Sequence, residues 1–457
     1  MADPAVQLKV AYLGGGSRNW ARVLMRDLAC CPELGGELRL FDIDFAAAKV
    51  NEELGNWLQE QPGVVSHWHY RAVEKIETAL AGADFVFVSI QPGSLDDMEH
   101  EIGVAEKYGL FFPVGDTTGT PGLMRSLRAA ITFSGFAQAI AEHCPQAWVI
   151  NYTNPMSVCT RTLTKVAPGL KVFGCCHEVF SSQHILAELA QAYLGLEKLP
   201  ARDEIRVNVN GINHFTWIDR ADYRGHDLLV ILSEHIHKPG VQRPFNRQEV
   251  EARADWFYDN RQIKYALFER YGIMAAAGDR HLAEFVPGFT HSPEVLFRWG
   301  VIRTPVSYRK GVWEQSSRFA RDMMDGKIKV NLNSSGEEAV RQIKALVGLG
   351  DFVTNVNFRN QGQATNLPDG AVVETNAYFS QNRVQPLTAG ELRPGVQALV
   401  ARHIADQEMI IQAALGRDKD LAFQAVFNDP TTNLPIDRAW EMFEEIGLPA
   451  NWHVLPC

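Results

Sequence analysis

Over its first 175 residues the chain alternates short β-rich runs with helical patterns, and this alternation limits the fold more than any other feature. Residues 8–13, 37–43, 84–90, 147–151 and 171–174 read as buried strands. Candidate helices over 20–29, 45–59 and 122–141 are each long enough to cross back over a sheet. The expected class is therefore α/β, with an N-terminal Rossmann-like, doubly wound parallel sheet. After about residue 195 the rhythm changes: 205–218 alternates like a strand pair, 249–271 carries a long amphipathic helical pattern, 351–374 reads as strand and loop, and 394–414 returns to helix. We expect two domains, 1–195 for a nucleotide and 196–457 as a mixed α+β substrate, metal and oligomerisation domain, arranged as in lactate and malate dehydrogenases.

Composition narrows the function. Of 457 residues, 44 are Lys or Arg and 54 Asp or Glu, a formal charge of −10, and no basic run is present. No nucleic-acid partner is expected, and an anionic substrate would have to be met by individual cationic side chains. The apolar runs fall far short of the roughly 20 residues that cross a bilayer, so no membrane partner is expected. The N-terminus lacks a secretory pattern, and seven cysteines make no disulfide framework, which together predict a cytoplasmic protein.

Gly14-Gly15-Gly16-Ser17-Arg18 directly follows the first strand and precedes a helix, where a dinucleotide pyrophosphate meets backbone N–H groups. Asn19 stands where a third glycine would fall. Asp42 ends the second strand, as the acidic residue that binds a ribose diol should, and favours NAD over NADP. Further polar residues follow the other strands: Gln91, Asn151, Asn154, and Cys175-Cys176-His177. In open α/β sheets ligands bind at these strand ends. Cys176 and His214 are ligand types that divalent transition metals accept, and Gly278-Asp279-Arg280-His281 gathers ionisable groups suited to acid/base work.

Taken in order, the glycine loop, Asp42-Ile43-Asp44, Gly115-Asp116-Thr117-Thr118-Gly119, Asn151-Tyr152-Thr153-Asn154-Pro155, Cys176-His177-Glu178-Val179 and Gly211-Ile212-Asn213-His214-Phe215 resemble glycoside hydrolase family 4. Cys-His-Glu-Val looks like its α-galacturonidase branch, with the α-glucosidase, α-galactosidase and α-glucuronidase branches as alternatives. The family is an exception to the paired-carboxylate scheme of glycosidases. The resemblance implies that NAD⁺ oxidises the sugar at carbon 3, a base takes the proton at carbon 2, the leaving group at carbon 1 is eliminated, water adds, and the hydride returns. It implies Mn²⁺ held by Cys176 and His214, although by softness other divalent transition metals would also suit them. It further implies cofactor contacts from Gly14, Gly16, Ser17, Arg18, Asp42, Gln91 and Asn151. Substrate contacts fall to Asp116, Asn154 and Asn213, with Arg280 for a uronate carboxylate. Asp279 is the expected base and Tyr271 its rival; His177 or Glu178 is the general acid. The substrate would be a uronate glycoside and the assembly a homodimer or homotetramer. Two competing readings are an NAD-dependent 2-hydroxy acid dehydrogenase, which would consume its cofactor, and a nucleotide sensor without chemistry.

Overall fold

The computed structural model describes residues 5–253 and 255–453. These residues form thirteen strands: β1 (Val6–Leu13), β2 (Leu34–Phe41), β3 (His67–Val73), β4 (Phe85–Val88), β5 (Trp148–Asn151), β6 (Lys171–Gly174), β7 (Arg206–Ile212), β8 (Phe215–Tyr223), β9 (His226–Asp227), β10 (Met274–Ala275), β11 (Phe352–Arg359), β12 (Val372–Ser380) and β13 (Arg383–Pro386). The larger sheet has the order β13-β12-β11-β6-β5-β4-β1-β2-β3. Its β1–β6 portion is wholly parallel in the order 3-2-1-4-5-6, the doubly wound Rossmann arrangement. Four consecutive buried residues in β4, Phe-Val-Phe-Val, are what a strand covered by helices on both faces requires.

The expected parallel sheet is thus present, and it is longer than the sequence implied. β11–β13, from far beyond residue 195, add antiparallel to its β6 edge, with Asn357 facing Gly174. β3 is also an addition: its exposed-buried alternation around Trp68 and Tyr70 marks an edge strand that the search for continuous apolar runs passes over. A smaller antiparallel sheet has the order β10-β8-β7, with β9 pairing β8, and its β7 lies against β12, whose Asn376 donates to the Val207 carbonyl.

The expected continuous helix over 249–271 is two helices, Arg247–Glu251 and Gln262–Tyr271. Short polar side chains divert the backbone between them. Asp255 accepts a hydrogen bond from the Phe257 N–H, and Asp259 from those of Arg261 and Asp279. Such local bonds compete with helix. Arg261 then enters the second helix at φ +63°. Helices Trp20–Ala29 and Phe45–Gln59 have the expected bounds, whereas 122–141 lies inside a longer helix, Gly119–His143. Among the described residues no helix is long and apolar enough to cross a membrane.

Candidate active site

The glycine loop leaves the carboxyl end of β1, and its backbone is fixed by β2 and by the helix Phe45–Gln59 that follows it. The N–H groups of Gly14 and Gly15 donate to the Phe41 carbonyl at 2.9 and 2.8 Å. Asn51, fully buried, donates to the carbonyls of Gly15 and Ser17 at 2.8 and 2.9 Å. Gly14 sits at φ +94°, and a Cβ there would lie 2.0 Å from the Ser89 carbonyl oxygen. Only glycine fits. The Gly16 N–H donates to Asp42 Oδ2 at 2.8 Å, so the second strand's acidic end is held against the loop, and burial pushes the Asp42 carboxyl up. Arg18 projects over the ring of Trp313 at 3.4 Å, with Asp44 at 4.0 Å. Asp44 itself caps helix Phe45–Gln59 by accepting from the Ala47 N–H.

At the other strand ends the expected residues divide. Gln91, after β4, accepts from Arg125 at 3.3 Å, and Arg125 also donates to the Asn154 carbonyl at 3.2 Å. Asn151 is fully buried and both ends of its amide hold the turn that follows β5, through Thr153 and Thr160. It shapes the strand end from within.

The two-residue turn joining β7 to β8 carries Asn213 and His214, the latter in the left-handed region at φ +61°. His214 is 4% exposed, and its ring stacks on His281 with centroids 4.0 Å apart. Thr117 spends its proton on Asp116 Oδ1 at 2.8 Å while its oxygen lies 3.0 Å from His214 Nδ1. Nδ1 must therefore be the donor in that contact, which leaves the lone pair on Nε2. Burial, with His281 adding, pulls His214 down to about 4, the neutral form.

Ligand atoms of Asp116, His214 and His281 lie within 4.8 Å of one another. His281 completes the group without having been assigned a role from sequence, although it lies in the quoted Gly-Asp-Arg-His string. Its Nδ1 is 2.6 Å from Glu178 Oε1. Burial alone would lower His281, but the carboxylates of Glu178, Asp116 and Glu284 together outweigh it and the net shift is upward. Burial would raise Glu178, yet His281 and His214 hold it down to about 2. Cys176 borders this group: burial pushes its thiol up, and Glu374 and Glu178 act in the same direction. Beside it Asn213, 1% exposed, leaves both amide atoms without a hydrogen-bond partner, as Asn154 leaves its side-chain oxygen.

Asp279 begins helix Asp279–Phe285 and is 1% exposed. Its Oδ1 accepts from the Lys264 N–H at 2.9 Å, its Oδ2 has no partner, and burial followed by Asp259 pushes it up to about 8. Its rival Tyr271 belongs elsewhere: the ring packs edge-on against Trp217 at 5.6 Å and beside Gly395 in a separate apolar cluster. His177 is half-exposed, 3.2 Å from Glu337, which raises it, and it faces the Trp20 ring. Arg280 donates to the Pro113 carbonyl at 3.2 Å and to Thr304 at 2.5 Å. Glu284, one turn beyond Arg280 on the same helix, accepts from the N–H groups of Val114 and Gly115 at 2.6 and 2.9 Å and so fastens the Asp116 loop.

Residues 9–192 match the model of family 4 glycosyl hydrolases, and residues 209–432 match that of the family's C-terminal domain. An α-galacturonidase of Thermoanaerobacterium saccharolyticum is 47% identical over 96% of this chain and 95% of its own. The crystal structure of lplD from Bacillus subtilis superposes with a TM-score of 0.89 at 47% identity, covering 96% of this chain and 99% of that one. A 6-phospho-α-glucosidase from gut microorganisms, in complex with NAD and Mn²⁺, shares the fold at a TM-score of 0.77 and 18% identity, over 99% of each chain. On the strength of both family models and of near-full-length identity, the chain belongs to glycoside hydrolase family 4.

Proposed function

We propose that this enzyme hydrolyses α-galacturonides, using NAD⁺ and a divalent metal, Mn²⁺ first among them. The observation that carries the reading is 47% identity, spread over nearly all of both chains, to a relative named α-galacturonidase. The residues fit both groups. Gly14 and Gly16 let the loop lie tightly against Ser89 and Asp42 at the strand end where a dinucleotide binds, with Ser17 and Arg18 following them and Gln91 at the next strand end. His214, with its free Nε2, and Cys176 would hold the metal next to the unpartnered amide of Asn213. When bound, the nicotinamide withdraws and returns a hydride, and the metal polarises the oxygens beside it.

The chain's own residues do the rest. The relay from His214 through Thr117 to Asp116 fixes the imidazole's tautomer and orientation. Asp279, which begins the helix carrying His281 and leaves its Oδ2 unpaired, is the acceptor we assign to the proton at sugar carbon 2, its carboxyl being pushed up to about 8. The Glu178–His281 pair, stacked against His214, is the weaker rival, because its imidazole is shifted toward the proton-bearing form and its carboxylate is held down to about 2. Raised by Glu337, His177 favours its protonated form, as a donor to the leaving group requires. Asn154 and Asn213 offer unpaired amide atoms to substrate hydroxyls. We place the nucleotide on residues 1–195 and the substrate and metal contacts across both parts, Asp116, Asn154 and Cys176 from the first and Asn213, His214 and Arg280 from 196–457, in a cytoplasmic homodimer or homotetramer. The described cysteines are all free, as a reducing compartment allows.

Aglycone release from an aryl α-galacturonide, measured with and without NAD⁺ and Mn²⁺ while NADH absorbance is followed, tests the reading. Release that needs both without accumulation of NADH is expected. Stoichiometric NADH would instead favour a dehydrogenase, and release from neutral α-glycosides alone would reassign the sugar.

A further inference from the structure

Three arginines converge on Asp116 from three helices: Arg125 from Gly119–His143, Arg280 from Asp279–Phe285 and Arg309 from Val306–Met324. The charges of Arg125 and Arg309 both act on the buried Asp116 carboxylate, and Arg309 acts in turn on Arg125 and Arg280. Arg128, one turn along from Arg125, shows how this fold ordinarily neutralises a buried guanidinium: Glu101 grips it with both oxygens. Among the described residues none of the three converging arginines has such a carboxylate within 4.0 Å. Among the described residues the hydrogen-bond partners of Arg125 are Gln91 and the Asn154 carbonyl, and those of Arg280 are Thr304 and the Pro113 carbonyl, with the Phe257 ring against the Arg280 guanidinium at 4.9 Å. The Nε–H groups of Arg280 and Arg309 are buried without any partner. Asp116 is the carboxylate on which all three bear, and the forked donors it does not pair, the Nε–H groups of Arg280 and Arg309 among them, match the two oxygens of a second carboxylate.

We propose that Arg125, Arg280 and Arg309 form an anion subsite for the sugar's carbon 6 carboxylate, and that Arg309 sets the preference for uronides over neutral glycosides. The assignment rests on the galacturonide reading and deepens it. Arg309 lies four residues before Trp313, which stacks on Arg18 at the glycine loop, so a single helix touches both the anion subsite and the cofactor side. A sugar phosphate shares the relevant chemistry, and the test separates the two sources.

Arg309→Gln and Arg309→Lys are compared with wild-type enzyme, supplied with NAD⁺, Mn²⁺ and reductant, on an aryl α-galacturonide, the matching α-galactoside and its 6-phosphate. Binding of free galacturonate and galactose is followed by calorimetry. R309Q should lower kcat/KM for the galacturonide by about 10- to 100-fold, chiefly through KM, and the galacturonide-to-galactoside ratio by about 10-fold or more. R309K should recover part of the ratio, and galacturonate binding should weaken in parallel. Equal losses on both sugars, or an unchanged ratio, would overturn the subsite while leaving the substrate reading intact. Wild-type preference for the 6-phosphate would make the anion a phosphate and overturn the carboxylate assignment. Wild-type inactivity on galacturonides would remove the substrate reading itself. Should R309Q fold poorly, Arg280→Lys carries the same comparison and should lower the same ratio.

Discussion

The glycine loop and the pocket around His214 are assembled by opposite routes. The loop is held by Phe41, Asp42 and Asn51, from β2 through the helix that follows it, and chiefly through its backbone. The pocket draws Asp116, Cys176, His214, His281 and Arg309 from five separate stretches and works through side chains. A backbone cradle tolerates no added atom, whereas a side-chain cluster fails by losing partners. The two regions should therefore break differently.

The largest effect is expected at Gly14. Gly14→Ala adds a Cβ 2.0 Å from a carbonyl oxygen at a positive φ, and should cost more than about 3 kcal/mol and abolish NAD⁺ binding. A calorimetric NAD⁺ titration like that of wild type would show that the cradle is not rigid. In the pocket, Glu178→Ala strips His281 of its carboxylate. Because the pair retains side-chain exposures of 17% and 21%, we expect a loss of about 2–3 kcal/mol rather than the full cost of a dry pair, read by denaturant midpoint, with NAD⁺ affinity nearly unchanged.

Glu284 offers a test by pH. Burial pushes its folded value up from 4.5 to about 7, so the native state takes up a proton the unfolded chain does not hold. The folding cost of ionising it is absent below about 4.5, grows as pH rises and is complete above about 7. Glu284→Gln keeps an acceptor for Val114 and Gly115 but cannot ionise. Its thermal stability should gain on wild type over that window, by at most about 3 kcal/mol. A gain on acidification would reverse the assigned direction. The smallest effect is at Trp313: Trp313→Ala removes a partly exposed cation–π contact to Arg18 and should weaken NAD⁺ binding by about 2- to 5-fold. No change would detach helix Val306–Met324 from the cofactor side.

The same contrast explains what the amino-acid sequence reveals. The loop, Asp42 and five of the six parallel strands are legible because glycine spacing and apolar runs are local signals. Cys176, Asn213 and His214 stand out through family motifs, since nothing in their spacing brings them together. His281 was visible only as one polar residue in a charged string; its stacking on His214 depends on how helix Asp279–Phe285 meets the β7–β8 turn. Arg309 gives no signal at all, because it sits on a helix whose neighbours Tyr308, Val312 and Trp313 are exposed. Tyr271 reads as a base by analogy, but Trp217 and Gly395 place it in an apolar cluster. Asn151 shows the limit of strand-end reasoning: its position is right for a ligand, and its amide is committed to Thr153 and Thr160. The antiparallel β11–β13 edge was hidden for the same reason, as pairing between residues 174 and 357 leaves no local trace.

The central claim is that the pocket removes a proton from sugar carbon 2 during glycoside cleavage, and isotope exchange reads that step directly. Hydrolysis of an aryl α-galacturonide in D₂O, with NAD⁺ and Mn²⁺, should yield galacturonate carrying deuterium at carbon 2, detected by proton NMR. Product released at full rate with carbon 2 still fully protonated would contradict the account.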